Sequence, residues 1–312
     1  MKDLHPVLKA ALAVPTDPSA VTVDRQTPDE ARAEFKRDMK TVDAPAPAVQ
    51  RIEDREIPGP AGALRARIYD SRGDRSATLP LLVYFHGGGW IRGDIETHDS
   101  TCRVLAVETP CIIVSVDYRL APEHRFPAAV EDAYAALRWV AANAERLGGD
   151  PRRIAVGGDS SGGNIAAAVT ALARDRGGPA VAYQLLIYPV TDLGGETPSK
   201  RAFSKGYFLD YMHFYVASYL GPKGDPRDPL ASPLLREDLT CLPPAFIVTA
   251  GYDPLRDEGE AYARRLAEAG VPVEHARFED MIHGFISLRA LVPDADDGLK
   301  QCAAALRKTL RL

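Results

Sequence analysis

Short apolar runs and longer amphipathic stretches alternate along most of this chain. "LLVYF" (81–85), "CIIVSV" (111–116), "RIAVG" (153–157), "QLLIY" (184–188) and "AFIVTA" (245–250) are nearly continuous apolar segments of strand length, and "VEHARF" (273–278) follows them. Segments 127–146, 163–174 and 257–269 carry a helical pattern and separate several of these runs. Strand–helix–strand alternation with apolar strands predicts a mostly parallel sheet covered on both faces. "RIEDREI" (51–57) and "LRARIY" (64–69) lie close together, as antiparallel edge strands do. The expected fold class is therefore α/β, with eight strands and helices on both faces of the sheet.

Two regions break the rhythm. Between Pro189 and Pro244 lies a long insertion rich in aromatic residues, among them Phe203, Tyr207, Phe208, Tyr211, Phe214, Tyr215 and Tyr219. An insertion at this edge of an open sheet is where a cap would sit. The N-terminal region reads as an appendage. Leu4, Val7, Leu8, Ala11 and Leu12 recur at helical spacing, Lys9 interrupts them, and no cleavage site follows cleanly. That is an amphipathic helix rather than a signal peptide. A charged helical stretch (28–40) and "DAPAPA" lead into the main domain. The expected organisation is 1–50 as the N-terminal part of a helical cap, 51–189 as the first part of the core, 190–235 as the cap insertion and 236–312 as the second part of the core.

Composition narrows the classes. With 312 residues, 46% hydrophobic and 26% charged, the chain has the make-up of an ordinary globular protein. A net charge of −5 with no basic stripe argues against nucleic acid as a partner. No apolar run is long enough to span a membrane. Cys102, Cys111, Cys241 and Cys302 are scattered, which predicts free, buried thiols in a reducing, cytoplasmic setting. No H-E-x-x-H or His/Asp cluster suggests a metal, and "PDADDG" (293–298) reads as the charged start of the last helix.

The chemistry gathers around "GGDSSGGN" (157–164), which follows the strand "RIAVG" and precedes a helix. A nucleophile elbow is a strand–turn–helix with the pattern G-x-S-x-G, its small residues letting strand and helix approach. Gly158-Asp159-Ser160-Ser161-Gly162 fits that frame, whereas centring on Ser161 loses the first small residue. Ser160 is the candidate nucleophile. The Asp in this run disfavours a phosphate cradle. Upstream, "FHGGGW" (85–90) ends a strand and has the H-G-G-G form that supplies the other half of an oxyanion hole. In this architecture the acid and then the base follow the serine in chain order. Of the later histidines, His213 lies in the insertion and His275 inside a strand, which leaves His283 on a loop. Asp253 comes directly after "AFIVTA", and Asp257 reads as a charge at the start of the next helix.

With these residues in place, the chain resembles the hormone-sensitive-lipase family of carboxylesterases, on the α/β-hydrolase fold. "HGGGW", "DYRLAPEHRFPAAVEDA" (117–133), "GDSSGGN", "DPLRDEG" and "HGF" occur in the family's order across roughly residues 80–290. The resemblance implies hydrolysis of short- to medium-chain acyl esters by Ser160, Asp253 and His283 through an acyl-enzyme, with no cofactor. It implies oxyanion N–H donors at Gly88, Gly89 and Ser161, and a small-molecule pocket shaped by Trp90, Phe208 and Phe214. A homodimer through the edge strand and the helix near the C-terminus also follows from it alone. Ser161 departs from the family's usual Ala, but the N–H survives that change. Arg119 and Glu123 are expected to pair, and His86 to fix loop geometry. Two alternatives stay open: an amidase or arylformamidase on the same triad, and a non-catalytic receptor on the same fold.

Overall fold

The computed structural model describes residues 2–14, 20–74 and 76–310. Residues 1 and 15–19 of the expected N-terminal cap segment, and 75, 311 and 312 of the expected core segments, lie outside the described residues. Eight strands form one sheet: β1 (Arg51–Gly59), β2 (Gly62–Asp70), β3 (Leu79–Phe85), β4 (Ile112–Val116), β5 (Gly149–Asp159), β6 (Tyr183–Ile187), β7 (Ala245–Tyr252) and β8 (Val273–Ile282). Their spatial order is β1-β2-β4-β3-β5-β6-β7-β8. β1 and β2 form an antiparallel hairpin, β2 also runs antiparallel to β4, and the remaining pairs are parallel.

Nine helices accompany the strands among the described residues: α1 (Pro6–Leu12), α2 (Pro28–Val42), α3 (Asp99–Glu108), α4 (Ala128–Leu147), α5 (Ser161–Asp175), α6 (Pro198–Phe203), α7 (Met212–Leu220), α8 (Arg256–Glu268) and α9 (Ala295–Leu310). The apolar run of β3 explains their placement. Side chains alternate faces along a strand, so Leu81, Val83 and Phe85 point one way and Leu82 and Tyr84 the other. The first set joins the core with α4, α5 and α8, and the second joins the core with α3 and α9. All five residues are fully buried, as a central strand sandwiched between helix layers requires.

Local signals set the helix ends. Thr27 and Glu30 form a reciprocal capping box at the start of α2, and Pro28 follows at the first turn. Gly148 ends α4 in the left-handed conformation, where its N–H meets the carbonyls of Ala144 and Glu145. The acidic run before α9 places Asp296 and Asp297 in its first turn.

Two expectations are corrected. Arg119 does not pair with Glu123. It makes a forked pair with fully buried Asp132 on α4 (2.7–3.1 Å), while Glu123 binds Arg32 of α2 at 2.7 Å. The stretch from 117 to 127 is not helical, so a spacing of four does not bring side chains together there. The cysteines are all free, but only Cys102, Cys111 and Cys302 are buried, whereas Cys241 is exposed. Cys241 sits on the loop before β7 with a positive φ of 57°.

The insertion is pinned at its root. Buried Glu258 on α8 accepts the N–H groups of Thr191 (2.7 Å) and Asp192 (3.2 Å) and pairs with Lys200 of α6 at 2.6 Å. Across the cleft, Lys36 of α2 reaches Asp94 at 2.7 Å. The N-terminal segment and the insertion thus both attach to the end of the sheet where β3, β5 and β7 terminate.

Candidate active site

β5 delivers the serine. Ser160 stands between β5 and α5 with φ 54° and ψ −119°, a conformation costly for a side-chain-bearing residue. Crowding holds it there. A Cβ on Gly162 would lie 1.9 Å from the Phe85 carbonyl oxygen, and one on Gly158 would lie 2.3 Å from the same atom. Only glycine at both places lets β5, α5 and the end of β3 come this close. The Ser160 N–H donates to the Ile187 carbonyl at 2.9 Å, which fixes the turn against β6.

The Ser160 hydroxyl lies 2.9 Å from His283 Nε2, and His283 Nδ1 lies 2.9 Å from Asp253 Oδ2. Asp253 is fully buried, and its other oxygen accepts the Leu255 N–H at 2.8 Å. With that carboxylate as acceptor, Nδ1 carries the proton and Nε2 faces the serine as acceptor. The structure therefore brings Ser160, His283 and Asp253 into one hydrogen-bonded chain at the carboxyl ends of their strands. His213 lies instead on α7. His275, on β8, bonds the Thr249 hydroxyl at 2.9 Å. Asp257 accepts the Ser199 N–H at the start of α8.

The glycine-rich loop curls beside the serine. Gly88 and Gly89 have φ of 120° and 65°. A Cβ on Gly88 would meet the Arg92 carbonyl at 2.2 Å, and one on Gly89 would meet the Tyr215 ring at 2.5 Å. The Arg92 N–H turns back to the Gly88 carbonyl at 3.2 Å. Among the described residues no protein group accepts the N–H of Gly88, Gly89 or Ser161. Ser161 opens α5, where the first N–H groups have no intrahelical partner. Its hydroxyl is buried beside the Tyr118 phenol, which donates to the His86 carbonyl at 2.7 Å. His86 stacks on Tyr118, and its Nδ1 meets the Gly87 carbonyl at 2.8 Å, so its contacts are with the loop.

Sequence reasoning missed a second layer. Asp159 accepts from Tyr84 (2.8 Å) and from the Gly87 N–H (3.1 Å), and it pairs with His98 at 3.3 Å. Burial opposes both charges, but each supports the other. Asp159 is held below the usual carboxylate range and His98 above the usual imidazole range. Burial, with the His98 charge beside it, pushes His86 down to about 4. His98 carried no signal in the sequence, because its ion pair forms between α3's N-terminus and the elbow, 61 residues apart.

The cleft over Ser160 encloses about 670 Å³, counting the space at its mouth. Trp90 and Phe208 line it, with Trp90 stacked on Tyr219 at 4.3 Å. Phe214 does not line it; Tyr215 does. α7 is apolar nearly all round, so its sequence does not report its facing, and Phe214 packs toward the core one step round the helix. Phe35 and Met39 of α2 also line the cleft. Among the described residues no group of three or more potential metal ligands gathers, and no helix is long and apolar enough to cross a membrane.

Residues 82–287 match the family described as having the alpha/beta hydrolase fold. Carboxylesterase NlhH of Mycobacterium tuberculosis is 43% identical, with 99% of this chain and 97% of that protein covered. An arylesterase of Saccharolobus solfataricus is 41% identical over 88% of this chain and 80% of its own length. Among solved structures, the ester-hydrolase EH1AB1 from the metagenome of Lake Arreo superposes with a TM-score of 0.95 at 42% identity. That match covers 99% of this chain and 100% of the other.

Proposed function

The chain belongs to the alpha/beta hydrolase family, and on that premise we propose that it is a carboxylic ester hydrolase acting on short- to medium-chain acyl esters. The observation that carries this reading is the chain of 2.9 Å contacts from Ser160 to His283 to Asp253, facing an apolar cleft. Ser160 Oγ attacks the acyl carbon as His283 Nε2 takes its proton. Asp253 keeps the imidazole in the reactive tautomer and stabilises its cation. The N–H groups of Gly88, Gly89 and Ser161 receive the oxyanion, each donor being worth about 3 kcal/mol of barrier. His283 returns the proton to the leaving alkoxide, which leaves the acyl group on Ser160. Water then attacks by the same steps and frees the acid.

Residues 1–50 and 190–235 act as the cap over this site. The four free cysteines support a reducing compartment, the cytoplasm. A second copy would dock through the edge strand β8 and the helix near the C-terminus, α9. The presence of His283 in bonding distance of Ser160 favours catalysis over a receptor role on this fold.

The test is hydrolysis of p-nitrophenyl esters from acetate to laurate by wild type and Ser160→Ala. Wild type should peak at short or medium chains, and Ser160→Ala should lose at least about 10³-fold in kcat while staying folded. Equal activity of the two proteins would overturn the assignment.

A further inference from the structure

The cleft over Ser160 is mostly apolar, yet one arginine stands in its wall. Among the described lining residues, Arg92 is the single Arg or Lys. Its guanidinium carbon lies 4.6 Å from the Phe35 ring centroid and 5.2 Å from that of Tyr215. It is therefore clasped between α2 and α7, one from each part of the cap. Its backbone is tied to the loop beside the serine through the Gly88 carbonyl.

No hydrogen bond or ion pair satisfies this side chain among the described residues, and its Nε is buried without an acceptor. Other arginines here are treated differently. Arg119 forks onto Asp132, Arg32 onto Glu123, and Arg67 meets Asp54, Glu96 and Asp99. Charged neighbours do exist around Arg92. Asp38 on α2 lies within electrostatic reach of it, and Glu34 on α2 and Asp210 just before α7 act on the neighbouring Tyr215, but none of the three bonds Arg92. His98, Asp159 and His283 line the same cleft and are engaged with one another or with the serine chain. Two aromatic faces hold a guanidinium in place without using its N–H donors. A partly buried guanidinium with free donors is a receptor for a planar anion, and a carboxylate fits its fork.

We infer that Arg92 is a specificity-determining residue that takes a carboxylate carried by the substrate away from its scissile ester. The substrate class is then half-esters of short dicarboxylic acids. This deepens the ester-hydrolase reading and rests on it.

The experiment compares monoethyl succinate, glutarate and adipate with ethyl butyrate, pentanoate and hexanoate in a pH-stat at fixed ionic strength. Wild type, Arg92→Gln and Arg92→Lys are measured, and thermal melts check folding. Wild type should accept at least one half-ester as well as its neutral counterpart. Arg92→Gln should lower the half-ester to neutral-ester ratio of kcat/KM by at least about tenfold, chiefly through KM. Arg92→Lys should keep more of that ratio, because it keeps the charge. An unchanged ratio in Arg92→Gln would overturn the inference and leave Arg92 as a packing bridge between α2 and α7. So would a wild-type ratio below about one hundredth, the mark of a site that repels the charge. If wild type cleaves neither class, the ester-hydrolase reading itself fails.

Discussion

Asp159 does two jobs at once from a position adjoining the nucleophile. Its carboxylate joins the elbow to the Gly87 N–H and to Tyr84 on β3, so it sets the distance between the serine and the loop beside it. From sequence, this residue served to frame the elbow on Ser160 and to argue against a phosphate; its partners come from β3 and the start of α3 and leave no local pattern. The His98 partner makes the arrangement pH-dependent. His98 is raised in the folded protein, so its contribution to stability is fully present below the unfolded histidine value of about 6.5 and fades as pH rises through the folded value. Asp159 is depressed, so its contribution is present above about 3.9 and fades as pH falls through the folded value. The melting-temperature gap between wild type and His98→Gln should therefore be widest near about pH 6 and narrower near about pH 9. A gap that stays constant would contradict a charged pair.

At the level of elements, the central strands β3 to β7 were legible because buried strands leave apolar runs that nothing else explains, whereas β1 and β2 showed as two short runs close together, as antiparallel edge strands do. The elbow was legible because its geometry demands glycines at fixed places. Gly162→Ala tests that demand directly. Its added methyl would meet the Phe85 carbonyl oxygen at 1.9 Å and the His86 oxygen at 2.7 Å, the segment that launches the glycine-rich loop. The substitution should cost about 1–3 kcal/mol of stability in a urea melt and lower ester turnover with it. Gly73→Ala serves as control, since a methyl there meets nothing within 4 Å. A harmless Gly162→Ala would mean that β5, α5 and β3 are not packed as described. What the sequence concealed was the facing of apolar helices and the pairing of charges across irregular chain. Tyr215 rather than Phe214 lines the cleft because α7 is apolar on nearly every side. Arg119 finds Asp132 rather than Glu123 because the chain between 119 and 123 has no helical repeat.

Over the whole molecule, the sheet supplies the reacting groups and the appended segments supply the walls. Ser160, Asp253 and His283 follow β5, β7 and β8, and parallel strands bring their carboxyl ends to one edge. α2 arrives from the N-terminal region and α7 from the insertion. They meet over the cleft through Phe35, Arg92 and Tyr215. Ion pairs from Arg32 and Lys36 seat the first on the core, and Glu258 with Lys200 seats the root of the second. The proposed chemistry depends on Ser160 Oγ carrying the acyl group. The most direct measurement is to treat the protein with diethyl p-nitrophenyl phosphate, follow loss of esterase activity, and map the modified peptide by mass spectrometry. One diethylphosphoryl group per chain, on Ser160, gained in step with the loss of activity, is the expected result. Modification at Ser161, or full activity after Ser160 is modified, would contradict it.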